Sequence, residues 1–185
     1  MNIREITTYK VEITGISPLL HHRFAGTSGD SKKKVVEYDP VEISKEALYR
    51  NKDGIPYQPA NHIEGAMIKA ATEFKLRGRK TYKDFFKAAI IVEPREIPFK
   101  IPENPLEYVV DEQPVVINRA RVLTWRPRWD EWQFEFHIKC LQPDLISDKT
   151  VKDIVEQAGM FSGIGDYRPK YGRFDVTGFK IQEKQ

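Results

Sequence analysis

From Gln133 to Cys140 apolar and polar residues alternate strictly, with Phe134, Phe136, Ile138 and Cys140 on one side and Gln133, Glu135, His137 and Lys139 on the other. Successive side chains of a strand point to opposite faces, so this period demands a sheet with one buried and one polar face. The same period recurs from Thr8 to Gly15, where Tyr9, Val11 and Ile13 oppose Lys10, Glu12 and Thr14. Such strands need apolar cover on one face only, and two helical stretches supply it. Ser147 is a predicted N-cap for a helix from about Asp148 to Ala158, with Val151, Ile154, Val155 and Ala158 on its buried side and Gly159 at its end. Another helix is predicted from Asn61, where Asn61 and Glu64 make a capping-box-like pair and Ile63, Met67, Ala70, Ala71 and Phe74 share a face before Gly78.

The rest of the chain fills in the order. Ser17-Pro18 interrupts the first strand, and Leu19 to Phe24 continues it into a polar loop from Ala25 to Lys34. Asp39-Pro40 opens a short helical segment, Asn51-Lys52-Asp53-Gly54 is a turn, and Ile55 to Pro59 runs extended into the helix. A short helix is predicted from Thr81 to about Ala89, followed by a strand at Ile90 to Val92. Prolines at 94, 98, 102, 105 and 114 predict edge strands or an excursion from the core at about 93–114. A last strand is expected from Arg173 to Ile181, kinked at Gly178. Strand, helix, strands, hairpin strand, helix, strand is the order of an α+β, ferredoxin-like antiparallel sheet with insertions, here one domain over residues 1–185. In such folds the sheet face without helices is open to a ligand, as in RNA-recognition modules.

Thirty basic against 27 acidic residues leave a net charge of +3, so a nucleic-acid surface has to come from local clusters. The lone Cys140 excludes an internal disulfide and a cysteine-based zinc site, and suits a reducing compartment. No apolar run is long enough for a membrane span, so a cytoplasmic chain with no membrane partner is expected. His21, His22, His62 and His137 lack ligand spacing with acidic partners, and no metal or cofactor is expected.

Three clusters stand out, each with two readings. Gly163 to Phe174 packs Gly163, Gly165 and Gly172 with Arg168, Lys170 and Arg173, which suits either an anion cradle or a tight solvated loop. Lys75, Arg77, Arg79, Lys80 and Lys83 form the densest basic block, which fits phosphate contact or helix-dipole compensation. Arg119, Arg121, Arg126 and Arg128 interleave with Trp125 and Trp129. That mixture suits stacking and phosphate pairing on a single strand, or a hairpin whose tryptophans face the core while its arginines pair with Asp130 and Glu131. Lys32-Lys33-Lys34 is a solvated patch or a further phosphate contact.

The segment Gly54-Ile-Pro-Tyr-Gln-Pro-Ala-Asn-His-Ile-Glu-Gly-Ala-Met67 resembles the G-x-PYIPGSSLKGALR segment of the RAMP superfamily of CRISPR-associated RNA-binding proteins. Gly163 to Phe174 resembles its C-terminal glycine-rich loop, and Tyr9 to Leu20 its opening strand. Within the superfamily the chain looks most like the backbone subunits that coat a guide RNA. The resemblance implies a modified RNA-recognition fold, antiviral defence, sequence-independent backbone binding, and self-association or partner subunits. The chain is shorter than a typical backbone subunit, as a stand-alone or virus-encoded relative would be. Where the family has a lysine this chain has Glu64, and Asn61 and His62 are the groups left to meet a phosphate at the helix N-terminus.

The favoured function is a non-catalytic binder of single-stranded RNA or DNA, RNA before DNA, with the three clusters converging on one face. One alternative is a metal-independent endoribonuclease with His21 or His22 as general base, or an acidic group, Asp30 or Asp39, after the first strand. Another is a protein-interaction subunit with exposed tryptophans and prolines.

Overall fold

The computed structural model describes residues 5–23, 39–117 and 120–184; Asp30, the lysines at 32–34 and Arg119 lie outside them. In chain order the elements are β1 (Thr7–Gly15), β2 (Leu19–Leu20), α1 (Pro40–Glu46), β3 (Tyr57–Pro59), α2 (Ala60–Ala70), β4 (Lys75–Arg77), β5 (Lys80–Thr81) and α3 (Lys83–Ala89). There follow β6 (Ile90–Glu93), β7 (Glu96–Ile101), β8 (Val109–Ile117), β9 (Ala120–Trp129), β10 (Gln133–Cys140), α4 (Asp148–Gln157) and β11 (Phe174–Lys184). The main sheet runs β11-β1-β10-β7-β3 and is antiparallel throughout, with β6 pairing the second half of β10. Taking β6 and β7 as one interrupted strand, the order is that of a ferredoxin-like β-α-β-β-α-β core.

The two alternating segments are the central pair: Tyr9 lies opposite Ile138, Val11 opposite Phe136 and Ile13 opposite Phe134. All six of these side chains are fully buried under α2 and α4. Ser147 caps α4 through its hydroxyl, which accepts from Thr150 N at 3.1 Å. Val151, Ile154 and Val155 carry the burial of this helix at about 1.5–3 kcal/mol apiece. The Tyr9 hydroxyl donates to Asp148 Oδ1 at 2.7 Å, fastening β1 to the first turn of α4.

Several local expectations give way to contacts from distant parts of the chain. Helix α2 begins at Ala60 behind Pro59 with no side-chain cap, because Arg95 O takes the Ala60 N–H at 3.0 Å. Glu64, predicted to close a capping box, instead accepts from Val92 N at 2.9 Å. The helix stops at Ala70, a short 3₁₀ turn follows, and the basic block becomes the β4–β5 hairpin rather than a helical tail. The opposite helix runs past its expected end through a π-helical turn, Ala158–Ser162, to Gly163 at φ +64°. Within the proline-bearing segment, β7 is part of the main sheet. The β8–β9 ribbon joins β2 in a second, three-stranded sheet. β11 carries an irregularity where its register against β1 shifts between Glu12 and Ile13, next to Gly178.

The open face of the main sheet is ionic, and three of its lysines are paired. Lys10 pairs with Glu135 at 2.8 Å, Lys139 with Glu93 at 2.6 Å, and Lys100 with Glu12. With these three lysines paired to carboxylates, the middle of the face offers little free charge to the ligand expected there from the order of elements, while Lys180 on β11 stands exposed beside Lys10.

Candidate nucleic-acid interface

The glycine-rich segment becomes a loop at the end of the sheet where β1 finishes and β11 begins. It is stapled to the β1–β2 connection: Asp166 N donates to Leu20 O at 2.9 Å, Gly172 N to Pro18 O at 2.8 Å and Arg173 N to Ser17 Oγ at 2.9 Å. The loop closes on itself through Ile164 N to Gly172 O at 2.9 Å. Its glycines serve this closure. Gly172 has φ +73°, and a Cβ there would sit 1.8 Å from Ile164 O; at Gly165, φ +76°, it would sit 2.5 Å from Leu20 O. What approaches these glycines is the protein's own backbone. Tyr167 adopts φ +58° and is alone among the described non-glycine residues in having positive φ.

Beneath the loop lies a polar cluster. Arg126 Nε lies 2.9 Å from Asp166 Oδ2 as an ion pair without the alignment of a hydrogen bond, and the guanidinium packs 5.4 Å from the centre of the Tyr167 ring. Arg126, expected at a nucleic-acid surface, is 4% exposed. His22 Nδ1 reaches the same Asp166 oxygen at 3.4 Å, with its ring about half exposed. Burial pushes the Asp166 carboxyl up, but the His22 hydrogen bond, the Arg126 charge and the Tyr167 N–H outweigh it and hold the carboxyl below its usual range.

Next to this lies a relay of side chains. Gln58 Oε1 accepts from His21 Nε2–H at 3.1 Å, and Gln58 Nε2 donates to His62 Nδ1 at 3.0 Å, so His62 carries its proton on Nε2. His21 is fully buried against Tyr49 and Trp129. Burial drives its pKa down to about 3, the neighbouring His62 adding to the drop and the Gln58 bond opposing it. His62 falls to about 4, through burial and then the charge of Arg168, with Asp166 acting the other way.

Of the expected site residues, Arg168, Lys170 and Arg173 are exposed on the loop and Asn61 is exposed in the first turn of α2. Among the described residues none of these three cations enters an ion pair, unlike Lys10, Lys100 and Lys139 of the sheet face. Arg128 is held by Asp111 at 2.6 Å and Asp130 at 2.8 Å, and Trp129 and Trp132 are core residues, so the hairpin follows its structural reading on these points. Trp125 is half-buried and donates to Glu112 Oε2 at 2.9 Å; the side chain of Arg121 lies outside the description. Lys75, Arg77, Arg79 and Lys80 are exposed on the β4–β5 hairpin, beyond the C-terminal end of α2. That helix spans about 16 Å over its 11 residues and starts beside the glycine loop, so these cations do not converge with the loop. Asp39 caps α1, accepting from Val41 N at 2.9 Å, and His21 lies too deep to meet a substrate. Sequence patterns gave no sign of Gln58, Asp166 or Tyr167, whose roles depend on neighbours far along the chain.

The main sheet, with α2 and α4 on one face, is a ferredoxin-like α+β fold. Two solved structures carry this fold. A chain in the cryo-EM structure of the Type III-B Cmr-beta bound to cognate target RNA matches with a TM-score of 0.62 and 15% identity, over 97% of this chain. This chain spans 61% of that relative's length. Cmr6 from Pyrococcus furiosus, seen in a crystal structure, matches with a TM-score of 0.52 and 11% identity over 92% of this chain and 98% of its own. No family model matches the sequence, and no curated protein does. No helix among the described residues is long and apolar enough to cross a membrane.

Proposed function

We propose that this protein binds the backbone of single-stranded RNA as a subunit of a CRISPR-type ribonucleoprotein, with the strand lying across the loop of residues 163–173 and the start of α2. The observation that carries this is the contrast in charge pairing. Lys10, Lys100 and Lys139 of the open sheet face are matched by carboxylates, whereas Arg168, Lys170 and Arg173 stand exposed and, among the described residues, without an ion pair. Unmatched cations on a rigid loop can neutralise phosphates and release counterions without first breaking an ion pair. Neighbouring N–H groups in the first turn of α2 add a favourable dipole. The fold shared with subunits of Type III-B complexes supports the same reading.

Arg168→Ala is expected to weaken binding to a labelled single-stranded RNA and to lower the slope of log K against log salt by about one. Unchanged affinity and slope would overturn the placement of the strand. Metal-independent cleavage is a second reading supported by the half-exposed His22 and its contact to Asp166. Discrete products on a denaturing gel that vanish in His22→Ala would favour it; an intact strand would leave the binder.

A further inference from the structure

Among the loop residues that the binding reading leaves unused, Tyr167 has the least ordinary backbone. Tyr167 holds φ +58°, in a region costly for an aromatic residue and populated where the surroundings impose it. Those surroundings are explicit. Asp166 N is fixed to Leu20 O, and Tyr171 N donates to Tyr167 O at 3.3 Å. The result is a ring 39% exposed, followed directly by the exposed Arg168, Pro169 and Lys170. The buried guanidinium of Arg126 backs the ring, 5.4 Å from its centre. Tyr171 meets it edge-on with centroids 6.0 Å apart, and Lys170 sits 5.7 Å from the Tyr171 ring. A side chain turned outward merely for want of room would not be braced by a buried cation, a second ring and two backbone hydrogen bonds.

We propose that Tyr167 is a stacking platform for one base of the bound strand, its ring braced by Arg126 and Tyr171 while Arg168 and Lys170 hold the adjacent phosphates. This rests on the binding reading above and adds to it a contact with the base itself, indifferent to which base is presented because each has a π-face. A cation behind the ring polarises it, and a rigid ring loses little entropy on stacking. The ligand class follows: a single strand whose bases are unpaired and can turn out of their own stack. A duplex, whose bases stack on each other, would be refused.

The test uses the full chain with two probes of equal length, a fluorescein-labelled oligouridylate and an abasic ribose-phosphate strand. Tyr167→Ala is expected to weaken binding of the oligouridylate by roughly 5- to 150-fold, to leave the abasic strand unaffected, and to leave the salt slope unchanged. Tyr167→Phe should keep wild-type affinity for both. Because alanine could disturb the loop, Tyr167→Trp provides an independent readout: its fluorescence should be quenched by the oligouridylate and not by the abasic strand. Equal loss on both strands, or no loss on either, together with an unquenched Tyr167→Trp, would overturn the stacking role. If Arg168→Ala still lowers the salt slope in that case, the binding reading survives alone. If wild-type protein binds neither strand at low salt, both fall together.

Discussion

Acidification should destabilise this protein through His21 before its carboxylates titrate. His21 is fully buried, its Nε2–H is given to Gln58, and its folded pKa is about 3 against an ordinary value of 6.5. Between those values the unfolded chain takes up a proton that the folded chain refuses. The unfolded state thus binds more protons, and stability rises with pH. The contribution is complete above the ordinary histidine pKa and is lost as pH falls from about 6.5 toward 3. Each pH unit inside the window is worth about 1.4 kcal/mol, so the step from pH 6.5 to 5 removes about 2 kcal/mol through this residue. That is a sizeable share of the 5–15 kcal/mol typical of a domain. Urea unfolding followed by tryptophan fluorescence, from pH 7.5 down to 5, measures it, with His21→Phe as reference. The difference in unfolding free energy between wild type and variant should change by about 2 kcal/mol over that range, while the shared contributions of other groups cancel. A difference that stays flat with pH would refute the reasoning and mean that His21 is readily protonated in the folded state. His62, with its pKa lowered to about 4, titrates in the same direction and adds to the steepness of the wild-type curve.

Gly172→Ala should cost about 3 kcal/mol or more, because the new Cβ would meet a backbone oxygen at 1.8 Å from a φ of +73°; a urea midpoint within error of wild type would contradict the loop geometry. Replacing Lys75, Arg77, Arg79 and Lys80 by alanine should leave binding of a short oligonucleotide unchanged, since these cations stand at the other end of α2 from the glycine loop. A long strand that reaches the hairpin should show a reduced salt slope in the same variant, and fluorescence anisotropy across a salt series separates the two.

The central strands were legible because their pattern is local: β1 and β10 show their period in eight or nine consecutive residues and need no knowledge of partners. Helix α4 was legible for the same reason, with its serine cap and apolar stripe within one segment. The start of α2 was not, because the group satisfying Ala60 N–H is the carbonyl of Arg95, more than thirty positions later. Glu64 shows the same limit: helix-capping logic assigns it to its own helix, whereas the β6 edge claims it. In the arginine-tryptophan stretch, residue type alone does not say which side of a ribbon faces inward. Register does: Leu19 lies opposite Trp129, which turns that indole into the core, and Arg126 is drawn under the loop by Asp166. The glycine loop was legible as a special backbone and as a set of cations. Its aromatic platform was not, since nothing in the sequence marks Tyr167 as the residue that would carry positive φ.

The bond from Glu64 to Val92 N has a meaning beyond the start of α2. β6 pairs only with β10 among the described strands, which leaves its other side as the kind of border where a foreign chain could zip on and lengthen the sheet. A carboxylate parked on the middle of a four-residue strand occupies a donor such an intruder would need and places negative charge in its path. A cation at this position would serve phosphate chemistry and leave the border unlocked. The acidic residue thus guards this stretch of the sheet's border against an added strand.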